Sequence, residues 1–119
     1  TCGRMVKFAE KAADNLAKDG IGCDVIDLRT TSPMDEEAIL DSVEATGRLV
    51  IADESTPRCS LASDIAGLVA SRAFTALKAP IEMVTAPHAP VPFARELEAA
   101  WLPSPATIEA AARRTLAFR

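Results

Sequence analysis

Three groups of residues carry side chains whose types and positions could do chemistry: the single histidine His88, the adjacent carboxylates Asp53 and Glu54, and Cys59. His88 and the carboxylates each follow an apolar run that predicts a strand, and ligands bind at the carboxyl ends of strands in open α/β sheets. Paired carboxylates there can bind Mg²⁺ or transfer protons. A cysteine that precedes a helix can act as a nucleophile.

None of these residues has the sequence partners that such chemistry requires. No Cys or Asp stands at a metal-ligand spacing from His88, and the chain has no Gly-x-Ser-x-Gly elbow and no glycine-rich phosphate loop. We therefore interpret His88 as a loop residue, Asp53 and Glu54 as carboxylates that cap local amides and pair with Arg58, and Cys59 as a small buried side chain. Functional roles for them stay as alternatives, and the sequence predicts no self-sufficient active site.

Bulk composition excludes several classes of partner. The 119 residues suffice for one domain, and a hydrophobic content of 49% is enough for a core. The net charge of -4 argues against nucleic acid and anionic membranes as partners. There is no membrane-spanning apolar run and no visible signal peptide, and the three cysteines follow no pairing pattern. We expect a reduced, cytoplasmic setting.

Strand and helix patterns alternate along the chain. They predict a three-layer α/β/α sandwich with a mostly parallel sheet. Residues 1–3 are interpreted as the tail of a first strand whose body is absent, so the chain is expected to be one domain, 1–119, of a longer protein. The predicted helices cover 4–18, 34–46, 60–78, 94–100 and 104–116, and the predicted strands cover 22–28, 48–53 and 80–85.

One strand-to-helix connection organises this prediction. A buried strand ends at Leu28, and Ser32 is predicted to cap the next helix through its hydroxyl. Pro33 suits the first helical position, and Asp35 completes a variant of the capping box. Ser104 and Pro105 repeat the serine-proline device before the last helix.

The predicted helix over 60–78 has only a narrow polar stripe. Most of its other positions are apolar, among them Leu61, Ile65 and Leu68. A surface helix needs one apolar face, so this helix is expected to pack against a second partner besides its own sheet. Trp101 is interpreted either as an interface anchor or as a core residue.

Seven short motifs follow one another along the chain. They are VIDLRTTSPMD at 25–35, GRLV at 47–50, DE at 53–54, PRCS at 57–60, API at 79–81, TAPHAPVPF at 85–93 and WLPS at 101–104. In this order they resemble the C-terminal domain of the transketolase family. More narrowly, the chain is similar to the β subunit of the thiamine-diphosphate-dependent decarboxylase component of 2-oxo acid dehydrogenase complexes, and the Ala-Pro-His loop is most similar to the acetoin dehydrogenase type.

The resemblance implies an enzyme that is an αββα heterotetramer and an oxidoreductase. Thiamine diphosphate and Mg²⁺ would be bound in the intact enzyme, where a preceding domain supplies the activating glutamate; this domain would bind neither and would be inactive alone. Its expected partners are the α subunit, a second β subunit and the basic peripheral-subunit-binding domain of the acyltransferase core.

The resulting interface candidates come from several elements of the chain. Phe118 matches the family's terminal aromatic residue, but Arg119 follows it and adds a cation at the carboxyl end. Two alternatives stay open: a free-standing small-molecule-binding module of flavodoxin or receiver type, and the C-terminal domain of a single-chain transketolase-like enzyme. The candidates are Glu54, Arg58, Leu61, Ile65, Leu68, His88, Trp101 and Phe118.

Overall fold

The computed structural model describes residues 1–118. Five α-helices, two short strands and one 3₁₀ turn follow each other within this part of the chain. They are α1 Met5–Ala17, α2 Glu36–Thr46, β1 Val50–Ala52, α3 Leu61–Arg72, the 3₁₀ turn Phe74–Ala76, β2 Glu82–Val84, α4 Arg95–Trp101 and α5 Pro105–Ala117.

The two strands form a parallel pair with helices on both faces. Val50, Ile51 and Ala52 pair with Glu82, Met83 and Val84 in that order. Successive strand residues point to opposite faces. Accordingly Ile51 packs with α2 and α3, whereas Ala52 packs with α1 and α5. This confirms the predicted α/β sandwich with a parallel sheet.

The start of α2 differs from the prediction. Asp35, not Ser32, caps the helix, because its carboxylate accepts a hydrogen bond from the amide of Ala38 at 3.1 Å. Pro33 follows a cis peptide bond in a turn that brings Thr31 beside Met34, and so it lies outside the helix. The Ser32 cap and the Pro33 position were therefore wrong, since the turn delays the helix and an aspartate caps as well as a serine.

Residues 22–28 do not form the strand that their sequence predicts. A β-ladder needs a neighbouring strand along its length, and within residues 1–118 only Thr1 provides one. The amino group of Thr1 donates to the carbonyl of Ile26 at 3.1 Å, and its carbonyl accepts from the amide of Leu28 at 2.9 Å. This is one rung of parallel pairing. The apolar pattern alone was insufficient to predict a strand, because a strand also needs a neighbouring strand with which to form hydrogen bonds.

Helix α3 is shorter than predicted. The cap at Ser60 is confirmed, with a reciprocal bond from Ser63. The helix ends at Arg72 rather than near 78, because Ala73 leaves helical geometry and the amide of Lys78 donates to the carbonyl of Gly47 at 2.7 Å. A tertiary hydrogen bond thus overrides helix propensity.

The large side chains of α3 contact the chain's own core. Ile65 is 3% exposed, and Leu61 and Leu68 pack partly against the same cluster. The exposed large residue of this region is Phe74, which lies beyond the helix. The expected second apolar face of this helix is therefore small. No helix within residues 1–118 has both the length and the apolar character needed to cross a membrane.

Candidate interface at the carboxyl ends of the strands

The loops that follow β1 and β2 meet at one edge of the sheet. The amide of Asp53 donates to the carbonyl of Val84 at 3.0 Å, and the amide of Ala86 donates to the carbonyl of Ser55 at 3.0 Å. Parallel strands end at the same edge, which is why these loops lie side by side. We call residues 53–60 and 85–101 together the carboxyl-end surface.

Asp53 is a structural carboxylate on this surface. It is only 8% exposed. It accepts hydrogen bonds from the hydroxyl of Ser55 at 2.6 Å, the amide of Ser55 at 3.0 Å and the amide of Ala62 at 3.3 Å. The predicted capping role is therefore confirmed, and its oxygens hold the loop against the start of α3.

Two other expectations for this loop were wrong. Within residues 1–118, Arg58 forms no ion pair with Asp53 or Glu54, and its side chain is exposed. Cys59 is exposed rather than buried, because its φ of 50° places it in the left-handed region on a turn that faces solvent. The left-handed backbone at Cys59 is a local feature that the sequence pattern did not reveal.

The titratable side chains at this edge are dispersed within residues 1–118. In the described part of the chain, no three His, Cys, Asp or Glu side chains lie close enough to hold a metal ion. His88 and Glu54 are both exposed. Burial, and next the charge of Asp53, raise the pKa of the Cys2 thiol, which disfavours the nucleophilic thiolate.

The carboxyl-end surface exposes large apolar side chains that the sequence reasoning did not select. Val91 is 60% exposed, Phe93 106% and Leu97 60%. Helix α4 buries no residue and has no side-chain cap at Ala94. The prolines on either side of Val91 carried a usable signal, because in an extended segment residues two apart point to the same side. Val91 and Phe93 satisfy that spacing.

The two remaining aromatic candidates are Trp101, at the end of the carboxyl-end surface, and Phe118. Trp101 is half-buried, and its indole nitrogen is buried with no hydrogen-bond partner among residues 1–118. Phe118 is 52% exposed after the end of α5. Glu54, Arg58 and His88 thus share the carboxyl-end surface, whereas the α3 leucines belong to another layer. Arg119 lies outside the described residues.

Sequence comparison defines the class of protein. A family model described as the transketolase C-terminal domain matches residues 1–108. The chain belongs to this family. A solved structure titled a split-gene transketolase, an inactive β4 tetramer, has a TM-score of 0.82 at 25% identity and covers 98% of this chain and 37% of its own.

More similar sequences are β subunits of dehydrogenases. The β subunit of acetoin:2,6-dichlorophenolindophenol oxidoreductase from Cupriavidus necator is 56% identical over 116 residues, which are 98% of this chain and 34% of that protein. The pyruvate dehydrogenase E1 component subunit β of Bacillus subtilis is 41% identical over 118 residues, 99% of this chain and 36% of that protein. The chain therefore spans about a third of the length of these relatives.

Proposed function

We propose that this chain is the C-terminal assembly domain of the β subunit of a thiamine-diphosphate-dependent acetoin or 2-oxo acid dehydrogenase. The 56% identity to an acetoin oxidoreductase β subunit supports the family branch. One structural observation carries the assembly role: Val91, Phe93 and Leu97 are exposed on a segment that its own domain does not cover. Exposed apolar clusters mark protein interaction sites.

The carboxyl-end surface is the proposed β–β contact. Burying an exposed large apolar side chain contributes about 1.5–3 kcal/mol, so covering Val91, Phe93 and Leu97 would stabilise association substantially. Trp101 at the end of α4 is half-buried and lies on the same surface. His88 and Glu54 would face the neighbouring domain from the same surface.

A second surface is proposed to dock the acyltransferase core. The peripheral-subunit-binding domain implied by the family resemblance is basic, and α2 presents a matching acidic face. Charge complementarity would steer this encounter and weaken with salt. The exposed acidic residues of this face are Asp35, Glu36, Glu37, Asp41 and Glu44.

Cofactor chemistry is assigned to the rest of the enzyme. The described residues provide no cluster of metal donors, and the oxygens of Asp53 already bind the loop and helix amides. We propose, as the family resemblance implies, that the α subunit and the preceding β domain hold thiamine diphosphate and Mg²⁺. The three free cysteines support a reducing, cytoplasmic setting.

The test uses the full-length β subunit produced together with its α subunit. We expect Phe93→Ser combined with Leu97→Ser to weaken β–β association at least about 30-fold, since truncating an interface hot spot costs about 2 kcal/mol or more. Sedimentation gives the assembly state. Reduction of dichlorophenolindophenol with acetoin, pyruvate or a branched-chain 2-oxo acid gives the activity and the substrate.

Glu96→Ser is the matched control, because Glu96 is exposed on the same helix and carries no apolar surface. It should leave assembly unchanged. Normal assembly of the double variant would contradict the proposed contact. The β-subunit relatives favour the two-chain enzyme over a single-chain transketolase, and a flavin or nucleotide titration that gives binding would revive the flavodoxin-type alternative.

A further inference from the structure

Residues 87–102 form a segment with little anchorage in the rest of the domain. The segment runs between two buried residues, Ala86 and Pro103. Every residue from 87 to 100 is exposed except the half-buried Pro92. Neither apolar core cluster of residues 1–118 includes a residue of this segment. We call residues 87–102 the strap.

The backbone hydrogen bonds of the strap are local. The amide of Ala89 donates to the carbonyl of Pro87 at 2.8 Å, and the amide of Leu102 donates to the carbonyl of Glu98 at 3.0 Å. Within residues 1–118 no backbone hydrogen bond joins the strap to another element. Arg95 and the two glutamates of α4 form no ion pair in this part of the chain either. The strap is therefore attached to the domain mainly through its two ends.

Helix α4, which lies in the strap, is too short to be stable by itself. Helices of fewer than about 12 residues are marginal in water unless tertiary packing supports them, because the first turn is costly to form. α4 has seven residues, no side-chain cap at Ala94 and no buried residue to offset that cost. Glu96 and Glu98 in its first turn favour the helix dipole, but by a small amount. Regions with so few buried contacts open at a low free energy.

We propose that the strap folds upon assembly: α4 is largely unfolded in the dissociated β subunit and becomes helical when the strap of a second β subunit covers it. This inference rests on the proposed function, which assigns the β–β contact to this surface. Val91, Phe93 and Leu97 supply the exposed apolar area that the second copy buries. Segments that become ordered on binding are frequent in regulated assemblies.

The composition of the strap suits contact between two copies of itself. Symmetric dimers use the same surface patch on both subunits, so that patch must be complementary to itself. The strap exposes apolar side chains beside one arginine, Arg95, and two glutamates, Glu96 and Glu98. Its net charge is therefore small, so two copies meet with little repulsion, and Arg95 of one copy can face a glutamate of the other.

Folding upon assembly makes β–β affinity depend on the helix propensity of α4. The free energy of ordering α4 is then part of the free energy of association. Ala99 tests this dependence away from the contact, because two residues turn a helix by about 200° and place Ala99 opposite Leu97. Ala99→Gly should weaken association about fivefold, the factor by which glycine disfavours a helix interior. Ala94→Ser adds a cap and should tighten association by about the same factor.

Ala110→Gly is the matched control, because Ala110 is exposed on α5, a helix that its own buried residues anchor in the domain. This variant should lower the denaturant midpoint of unfolding and leave association unchanged, whereas Ala99→Gly should do the reverse. Sedimentation of the full-length β subunit produced with its α subunit measures association. Unchanged association of Ala99→Gly, or equal weakening by both glycines, would overturn the inference.

Hydrogen exchange observes the folding step directly. We expect the amides of α4 to exchange at least about tenfold more slowly in the assembled enzyme than after dilution has separated the β subunits, while α5 stays protected in both states. Slow exchange of α4 in the separated subunit would overturn folding upon assembly and leave the β–β contact standing. Fast exchange in both states would also overturn it. Failure of the contact itself appears separately, as normal assembly of the variant that combines Phe93→Ser and Leu97→Ser.

Discussion

Helices α4 and α5 follow each other in the chain, yet they differ in capping and in burial. α5 begins with the Ser104 cap and its reciprocal Thr107 bond, and it buries Ile108, Ala111 and Thr115 against α1 and the sheet. α4 has no side-chain cap and buries nothing. Its Leu97 stays 60% exposed.

The difference shows which of the two helices contributes to the stability of this domain. α5 has the local capping, the apolar stripe and the ion pair from Arg114 to Glu82 that fasten it to β2. α4 carries Leu97, which no part of residues 1–118 buries, although Trp101 at its end is half-buried. α5 therefore belongs to the folding unit, whereas α4 and the loop before it carry the surface proposed above as an interface.

The largest predicted effect is the difference in unfolding free energy when one apolar side chain of each helix is shortened to alanine. Ile108→Ala removes a side chain that is 6% exposed and should lower the free energy of unfolding by about 2–5 kcal/mol. Leu97→Ala removes the exposed counterpart and should change it by less than about 0.5 kcal/mol. Denaturant unfolding of both variants measures the contrast. Equal losses would show that α4 is part of the core.

The next effect concerns the helix caps. Ser104→Ala removes a hydroxyl that accepts from the amide of Thr107 at 3.2 Å and should cost about 1 kcal/mol. Ala94→Ser supplies a cap where α4 has none and should raise helicity without a comparable gain in global stability. Circular dichroism and thermal unfolding distinguish the two. A large stability gain from Ala94→Ser would place α4 in the cooperative unit.

The smallest effect is the pH dependence of the α5 ion pair. Arg114 donates to Glu82 at 2.7 and 3.2 Å, and these hydrogen bonds hold the pKa of Glu82 below its usual 4.5. A lowered native pKa gives stabilisation that is present above the unfolded value and is lost as pH falls through the native value. Both side chains are partly exposed, so the effect is small.

Arg114→Met should therefore lower the denaturation midpoint slightly at pH 7 and have no effect at acid pH, where Glu82 is protonated in both proteins. Arg95→Met on α4 is the matched control, since Arg95 is exposed and forms no ion pair among residues 1–118. It should show no such pH dependence. A constant difference between Arg114→Met and wild type across this range would contradict the assignment.

Local patterns predicted the elements whose determinants lie close in sequence. The Ser104-Pro105 start of α5, the Ser60 cap of α3 and the left-handed Gly47 after α2 were all readable, because each depends on a few neighbouring residues. The apolar runs that contain β1 and β2 identified the parallel pair. The ordered motifs identified the family, which the match over residues 1–108 confirms.

Only part of the candidate site could be predicted from the sequence. Asp53 was predicted to cap nearby amides, and it does. Val91 and Phe93 were not selected, since their exposure depends on whether another part of the chain covers them. An apolar residue has the same sequence signature in a core and in an interface.

By itself, the sequence determined the order of elements, the caps of α3 and α5, the parallel α/β class and the family, because these follow from short-range chemistry and from motif order. The structure decided that Asp35 rather than Ser32 caps α2, that Ala73 ends α3, and that, within residues 1–118, the backbone of residues 22–28 pairs only with Thr1. Pairing and burial join residues far apart in the chain, and their free energy depends on which surfaces meet.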